Sequence, residues 1–205
     1  TEKESVWSFP DRGTWATHTG NYRGNWSPYV PRNVILRYSE ENDIVLDQMC
    51  GSGTTLVECE LLGRRGIGVD INEDAVMVAR DRLWFTQESD AVQETTAETF
   101  LGDARKLDKI DDGHVDLVAT HPPYSGMIAY TSDRVDGDLS SLKLEPFLDE
   151  MGEVAKEALR VLKPGGHCAV MIGDTRKHLH YIPVAVPVMH AFLEAGFLIR
   201  EDIIK

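Results

Sequence analysis

Two short stretches of the sequence carry groups suited to chemistry, and the first is DQMCGSGTT at positions 47–55. It follows an apolar run and precedes a stretch of helical period. Glycines at such a turn let the backbone approach a ligand closely, and a helix start offers free N–H groups. Asp70 and Asp103 end the next two apolar runs. Carboxylates at three consecutive strand ends suit an adenosine ligand, with Asp70 placed to bind ribose hydroxyls.

A plainer interpretation of the first stretch is that its glycines make a tight turn and the acids cap helices. A dinucleotide site would have a third glycine where Leu56 stands, and a phosphate-binding loop would have Gly-Lys-Ser/Thr, but neither is present. Asp47 would repel a pyrophosphate and attract the cationic sulfonium and amino groups of S-adenosylmethionine. The loop therefore favours S-adenosylmethionine over NAD.

The second stretch is THPPY at positions 120–124, at the end of the apolar run VDLVAT. Its two prolines fix the backbone and hold the ring of Tyr124 beside their carbonyl groups. The exocyclic amine of a nucleobase is a poor nucleophile because its lone pair is delocalised into the ring. Acceptors on both N–H groups, one a backbone carbonyl and one the preceding side chain, would draw that nitrogen toward pyramidal geometry while Tyr124 stacks on the base. The freed lone pair could then attack a sulfonium methyl group.

The apolar pattern predicts the elements that position these two stretches. Short apolar runs alternate with stretches of helical period from residue 44 onward, which predicts an α/β fold with a doubly wound, Rossmann-like, mostly parallel sheet. Predicted strands cover 44–47, 66–70, 98–103, 115–120, 167–174 and 197–204, and predicted helices cover 54–63, 73–85, 145–162 and 183–195. Both stretches then meet at the carboxyl edge of the sheet.

Residues 1–43 are predicted to form a strap over the cofactor site of a single domain spanning 1–205. Three of the four tryptophans, Trp7, Trp15 and Trp26, lie in this segment among Gly, Pro, Asn and Arg with little periodicity. Ordinary aromatic packing over the sheet accounts for these rings. Lining of a ligand pocket is compatible with that packing.

Composition restricts the class of protein. The 205 residues contain 21 Lys plus Arg and 34 Asp plus Glu, a net charge of −13, so no basic surface for nucleic acid or anionic membrane is indicated. No apolar run has the roughly 20 residues of a membrane helix and the first residues carry no leader pattern, so a cytoplasmic location is expected. Cys50, Cys59 and Cys168 have neither disulfide nor zinc spacing, so reduced thiols and no metal site are expected.

Four motifs, LDQMCGSGTTLVE, GVDIN, GDA and THPPY, occur in the order found in a known family. They resemble the S-adenosylmethionine-dependent DNA amino-methyltransferases, the N6-adenine and N4-cytosine family with (D/P)-x-x-x-G-x-G and (D/N/S)-PP-(Y/F). The resemblance covers about residues 12–205. It implies a class I methyltransferase fold, S-adenosylmethionine as methyl donor and a flipped-out base as substrate. It also implies a catalytic set formed by His121, Pro122, Pro123 and Tyr124.

The resemblance implies the cofactor contacts as well. The methionine end would lie on the glycine loop, the ribose on Asp70 and the adenine beside Asp103, and NWSP (25–28) looks like the segment that closes over the methionine end. The expected cofactor-binding residues are Asp47, Met49, Cys50, Gly51, Gly53, Thr54, Thr55, Asp70, Ile71, Asp103, Ala104, Trp26 and Ser27.

One departure from the family pattern is His121, which stands where the family has Asp, Asn or Ser. A neutral imidazole accepts one hydrogen bond, whereas a protonated one accepts none. Methyl transfer is therefore expected to fall as His121 protonates, roughly below its reference pKa of about 6.5. In the alternative interpretation His121 bonds to a neighbour and the Pro-Pro carbonyl acts alone.

A second departure is the absence of room for a target-recognition domain, since only 17 residues separate Asp103 from His121. Residues 125–144, with Gly126, Gly137, Asp133, Asp136 and Asp138, have about the length of a lid. The last strand of a class I fold is expected to be absent or supplied by a missing tail.

Positions 174–181, DTRKHLHY, gather basic and titratable groups after the fifth predicted strand. They are either a solvated loop or a phosphate contact beside the flipped base, to which Arg23, Arg32 and Arg37 would add.

The function favoured by these residues is methylation of a base amine, N4 of cytosine or N6 of adenine, in DNA. RNA is the nearer alternative, because compact enzymes without a recognition domain often take structured or single-stranded substrates. A catalytically silent subunit of the same fold is another. An NAD-dependent oxidoreductase is disfavoured by the loop, and carbon-5 methylation by the lack of a cysteine beside the prolines. A partner subunit or a missing recognition region is expected, and no membrane partner.

Overall fold

The computed structural model describes residues 2, 4–22, 24–84, 97–124 and 135–205. Arg23, the last residue of the predicted helix 73–85 and residues 125–134 of the predicted lid lie outside these ranges. Within them, no helix is both long and apolar enough to cross a membrane.

Helices cover both faces of a parallel sheet. The helices in the described ranges are α1 (Tyr29–Tyr38), α2 (Thr54–Leu61), α3 (Glu73–Leu83), α4 (Leu144–Val161) and α5 (Ala185–Ala195), with a short 3-10 helix at Leu139–Ser141. The sheet strands are β1 (Ile44–Asp47), β2 (Arg65–Asp70), β3 (Glu98–Leu101), β4 (Val115–Thr120) and β5 (Leu162–Val170). A separate antiparallel hairpin is formed by β6 (Thr175–Lys177) and β7 (His180–Ile182).

The strand order β3-β2-β1-β4-β5, with all pairs parallel, confirms the predicted doubly wound, Rossmann-like fold. The order reverses between β1 and β4, and ligands of open α/β sheets bind at the carboxyl ends of the strands at such a point. Asp47 ends β1 and Thr120 ends β4. The glycine loop and THPPY therefore begin side by side.

Residues of β4 pack on both layers of the molecule. Leu117 and Ala119 belong to the cluster that includes α1, whereas Val115 and Val118 belong to the cluster that includes the end of α4. A strand buried on both faces has the nearly continuous apolar sequence seen at 115–120. This burial fixes the end of β4, from which the His-Pro-Pro-Tyr segment extends.

The predicted strand at 197–204 is wrong. In its place the described backbone makes a single parallel bridge between Val6 and Ile204. The carboxylate of Glu201 is bound by Arg37 Nη2 at 2.7 Å and by Tyr38 Oη at 2.5 Å, both from α1. Those side-chain bonds hold the segment against α1, and Leu198 is left 92% exposed. The predicted fifth strand is also shifted, since β5 covers 162–170 where 167–174 was expected.

Two elements have no counterpart among the predictions. Helix α1 was missed because its first turn contains Pro31 and its buried face includes the polar Asn33. The β6–β7 hairpin was missed because its turn places His178 and Leu179 at φ of 50° and 69°, a conformation that usually requires Asn or Gly.

Gly53, at the start of α2, provides a test of the close packing of α2 on α3. It has φ of +79°, and a Cβ there would lie 3.0 Å from the Cβ and 3.2 Å from the Cα of Ala79. We expect Gly53→Ala to lower the free energy of unfolding by about 2–4 kcal/mol in urea denaturation. The control is Gly113→Ala, at φ +62° with nothing within 4 Å of the added carbon, which should cost only about 1–2 kcal/mol. Equal losses in the two variants would contradict the close packing.

Candidate functional site

An open cleft of about 910 Å³, including its mouth, lies at the carboxyl edge where the strand order reverses. The residues singled out from the sequence that line it are Trp26, Asp47, Met49, Cys50, Gly51, Thr54, Asp70, Ile71, Asp103, Ala104, His121, Pro122 and Pro123. The remaining ones, Gly53, Thr55, Ser27 and Tyr124, are not among its lining residues.

Further lining residues were not named as cofactor contacts from the sequence. They are Tyr22, Gly24, Asn25, Gln48, Asn72, Gly137, Asp138 and Leu139. Asn25, Gln48 and Asn72 lie inside the motifs, so membership of a motif was the signal that could have indicated them. The lining set contains four aspartates and, among the described residues, neither lysine nor arginine. The cleft is therefore suited to a ligand that carries positive charge.

Asp47 is a buried carboxylate at the end of β1, only 2% exposed. One oxygen accepts a hydrogen bond from Thr55 Oγ1 at 2.5 Å, and the other accepts one from the Met49 N–H at 3.3 Å. Burial raises the pKa of Asp47 to about 6, although both hydrogen bonds act in the opposite direction. Thr55 thus acts on the site through Asp47. The carboxylate lacks a cationic partner in the described structure, and a cationic ligand would supply one.

Asp70 is bound to the glycine loop. Its Oδ2 accepts the Gly51 N–H at 2.8 Å, and its Oδ1 accepts the Asn72 N–H at 2.9 Å. Burial raises the pKa of Asp70, and these two backbone bonds oppose the rise. The loop and the tip of β2 therefore form one unit at the cleft.

Asp103 is held by an ion pair that the motifs did not indicate. Arg105 Nη2 lies 2.5 Å from Asp103 Oδ2, and Arg105 Nε lies 2.9 Å from Asp103 Oδ1. Burial alone would raise the pKa of Asp103, but the bonds from Arg105 outweigh it and hold the pKa below its usual value. Arg105 also donates to Glu150 of α4 at 2.7 Å. Asp103 therefore lines the cleft while it is paired with Arg105, which also binds Glu150.

The N-terminal segment is clamped beside the cleft by Arg12 and Ser52. Arg12 Nη2 donates to the carbonyl groups of Asn25 at 2.9 Å and Trp26 at 3.1 Å. Ser27 Oγ donates to the Arg12 carbonyl at 2.8 Å, so this hydroxyl has a structural partner outside the cleft. Ser52 Oγ donates to Asn25 Oδ1 at 2.6 Å and joins the segment to the glycine loop.

A buried network centred on Glu58 supports this clamp. Glu58 is fully buried and accepts hydrogen bonds from Trp15 Nε1 and His18 Nε2, both at 2.7 Å, and from Arg32 Nη1 at 2.8 Å. The other ring nitrogen of His18 accepts from Arg82 Nη2 at 3.1 Å. Arg82 Nη1 in turn donates to the carbonyl and hydroxyl of Ser52, each at 2.6 Å.

Two of the arginines that were expected to add to a phosphate contact form ion pairs within the chain. Arg32 is bound to Glu58, and Arg37 is bound to Glu201. Both guanidinium groups therefore have carboxylate partners within the chain. Arg23 lies outside the described residues.

His121 lies between two aromatic rings at the cleft wall. Its ring stacks on Trp26 with centroids 5.7 Å apart and an interplanar angle of 20°, and it meets the Tyr124 ring edge-on at 5.8 Å. Nε2 is buried and has no hydrogen-bond partner within the described structure. Burial lowers the pKa of His121 to about 4, although a hydrogen bond to the Gly24 backbone acts to raise it.

These observations define the proton position on the His121 ring. A bond that favours the protonated ring is a donation to the Gly24 carbonyl, and because Nε2 has no partner among the described residues, that donation is assigned to Nδ1. Nε2 then carries the lone pair of a ring that lines the cleft. His121 thus bonds to a neighbour, as one interpretation of the sequence held.

Tyr124 is fixed from the side of β5. Burial raises the pKa of its hydroxyl, while a bond from the Gly173 backbone lowers it, so the phenol oxygen accepts that N–H. A Cβ on Gly173 would lie 3.0 Å from the same oxygen. Gly173 therefore allows the close approach that holds the Tyr124 ring against His121.

Asp47→Asn tests the burial of the Asp47 carboxylate. Because the folded pKa is raised to about 6, the folded state binds a proton that the unfolded state releases near pH 4, so ionised Asp47 destabilises the protein above pH 6. We expect Asp47→Asn to be more stable than wild type at pH 7, by on the order of 1–3 kcal/mol, and to lose that advantage toward pH 4. Urea denaturation across this range measures the difference. Parallel pH profiles for the two proteins would contradict the raised pKa.

Comparison with known sequences finds similarity to nucleic-acid methyltransferases. The model of the family described as DNA methylase matches residues 1–81. The Type II methyltransferase M.HpaI of Haemophilus parainfluenzae is 50% identical over 50 residues, which are 24% of this chain and 16% of that protein. The tRNA (guanine(10)-N2)-dimethyltransferase of Methanothermobacter thermautotrophicus is 34% identical over 129 residues, 62% of this chain and 34% of that protein.

Comparison with solved structures gives the same fold. A SAM-dependent methyltransferase from Methanosarcina mazei has a TM-score of 0.51 and 26% sequence identity, with 67% of this chain and 55% of that chain covered. The chain spans about a third or less of the length of the two curated relatives named above.

Proposed function

We propose that this chain methylates the exocyclic amine of a base in DNA, N4 of cytosine or N6 of adenine. The proposal is supported by the DNA methylase family match in residues 1–81 and by the similarity of the fold to that of a SAM-dependent methyltransferase. The observation that carries the proposal concerns His121, which lines the cleft next to two prolines and whose buried Nε2 has no hydrogen-bond partner among the described residues. An acceptor in that position can bind an N–H of the target amine.

The residues of the cleft fit the proposed cofactor. S-adenosylmethionine supplies an electrophilic methyl group on a sulfonium sulfur. Asp47, which is buried and has no cationic partner among the described residues, would balance the positive charge of its methionine end, and Asp70 would accept ribose hydroxyls. The absence of lysine and arginine among the described lining residues weighs against a pyrophosphate ligand such as NAD.

His121 and the prolines would act on the amine together. Nε2 of His121 accepts one N–H of the amine, and a backbone carbonyl of the Pro122-Pro123 segment accepts the other. These two acceptors draw the nitrogen toward pyramidal geometry and free its lone pair. The methylated nitrogen is strongly acidic, so Nε2 is a sufficient base for its proton even with a pKa near 4.

Two aromatic rings would keep the reacting groups in place. Trp26 is 5% exposed and backs the His121 ring, which limits the directions in which Nε2 can point. The Tyr124 hydroxyl is held by Gly173, so its ring is fixed beside His121 and available to stack on the base.

RNA is the second candidate substrate. The tRNA dimethyltransferase relative matches 62% of this chain, against 24% for M.HpaI. Its printed target, N2 of guanine, is also an exocyclic amine. The same acceptor arrangement at His121 would serve that chemistry.

Nucleoside analysis tests the substrate. The full chain would be incubated with methyl-labelled S-adenosylmethionine and, separately, with DNA and RNA, and the nucleosides analysed after digestion. We expect label in N4-methylcytosine or N6-methyladenine of DNA. Label confined to RNA would replace DNA by RNA as substrate, and binding of S-adenosylhomocysteine without any label would support a catalytically silent subunit.

The pH dependence of methyl transfer tests the role of His121. The expectation of a fall below about pH 6.5 used the reference pKa of histidine. Burial lowers the pKa of His121 to about 4, so the fall is now expected at lower pH. At saturating cofactor, kcat should stay constant down to about pH 5 and fall as the pH approaches 4. The kcat/KM for the cofactor should fall already below about pH 6, as Asp47 protonates.

Two variants separate His121 from other titrating groups. His121→Asn keeps an acceptor that does not titrate, so the fall of kcat near pH 4 should disappear. His121→Phe keeps the ring but removes the acceptor and should lower kcat by about 10²-fold, with cofactor binding retained. A wild-type profile in which kcat falls between pH 7 and 6 would refute the neutral acceptor.

A further inference from the structure

The β6–β7 hairpin, residues 175–182, leaves the sheet edge beside the proposed catalytic residues. Gly173, whose N–H binds the Tyr124 hydroxyl, lies two residues before the hairpin begins. One oxygen of Asp174 accepts the Tyr181 hydroxyl. The other accepts the N–H groups of Val184 at 2.7 Å and Ala185 at 2.8 Å, at the start of α5. Asp174 therefore anchors the base of the hairpin, and it directly follows Gly173, the residue that binds Tyr124.

The tip of the hairpin has a strained backbone and an apolar side chain that is exposed to solvent. His178 and Leu179 both have positive φ, which costs roughly 1–2 kcal/mol for each residue that is not glycine. Leu179 is 95% exposed, and Tyr181 on the following strand is 60% exposed. Strained residues of this kind are concentrated at functional surfaces.

The hairpin lies in a part of the sequence that is poor in acids. Residues 162–193 contain one of the 34 acidic residues, Asp174, together with three Lys or Arg and four of the seven histidines. Arg176, His178 and His180 are exposed on the hairpin, and the Asp174 carboxylate is occupied by its own hydrogen bonds. A polyanion repelled by most of this acidic protein would meet positive charge here.

We propose that the hairpin is a nucleic-acid contact in which Leu179 enters the base stack beside the target base and Arg176 binds a neighbouring phosphate; this inference rests on the proposed function. Removing a base from the stack leaves a gap, and apolar side chains occupy such gaps in bent or unstacked nucleic acids. At about 3.3 Å per strand residue the tip extends roughly 10 Å beyond Thr175. That reach is comparable to a groove depth of about 8 Å in duplex DNA.

Leu179→Ser tests the contact of the tip with bases. Leu198→Ser is the matched control, because Leu198 is 92% exposed in a segment outside the hairpin. With S-adenosylhomocysteine bound, the probe is a short mixed-sequence DNA duplex carrying 2-aminopurine, with the matching RNA duplex as a second arm. We expect Leu179→Ser to bind about tenfold more weakly and to lose the fluorescence increase of the unstacked base. Equal affinity and fluorescence for the two variants would overturn the proposal.

Arg176→Gln tests the phosphate contact. Arg65→Gln is the control, because Arg65 is an exposed arginine at the first residue of β2, at the opposite edge of the sheet. The slope of log affinity against log salt concentration should decrease in magnitude by about 1 for Arg176→Gln and remain unchanged for Arg65→Gln. Equal slopes for Arg176→Gln and wild type would refute the phosphate contact.

The outcomes separate this inference from the proposed function. Binding that depends on Leu179 and Arg176, without methyl incorporation by the wild-type protein, would overturn the proposed function and support the hairpin contact. Methyl incorporation by the wild type, with Leu179→Ser matching Leu198→Ser in affinity and rate, would overturn the hairpin contact and support the proposed function.

Discussion

The site depends on the hydrogen bonds that the buried carboxylate of Glu58 accepts. The donors are three side chains of the N-terminal segment. One of them, His18, also accepts a hydrogen bond from Arg82, and Arg82 donates another to Ser52 of the glycine loop. A fully buried carboxylate would be costly without such partners. Because these groups satisfy one another, residues 12–22 and 24–32 are held beside the cleft, and Gly24 and Trp26 are placed against His121.

The electrostatics of the cleft explain how a histidine can occupy the position before the prolines. Four aspartates already line the cleft, and a further carboxylate would add repulsion and desolvation cost. A neutral imidazole provides an acceptor without charge, and burial keeps it neutral. Under the proposed function, the buried Asp47 would meet the cationic cofactor, and the acceptor at Nε2 would meet an uncharged amine.

Local periodicity was enough to predict much of the fold, since strands β1 to β4 and helices α2 to α4 differ from their predicted ranges by two residues or fewer. The glycine loop and THPPY were found because close backbone approach and fixed carbonyl groups require particular residue types. The pairs of Glu58 with His18 and of Asp103 with Glu150 through Arg105 join distant positions, and nothing local marks them. The prediction of a strand at 197–204 was wrong for the same reason, because the contacts that hold Glu201 come from α1, which is distant in sequence.

The central claim is that His121 is neutral, with its proton on Nδ1 and a free lone pair on Nε2. Nitrogen-15 NMR of the histidine side chains, assigned with His121→Asn, measures this directly. At about pH 6 the account predicts a protonated Nδ1 and an unprotonated Nε2 for His121, unchanged until the pH nears 4. A proton on Nε2, or both nitrogens protonated at pH 6, would contradict it.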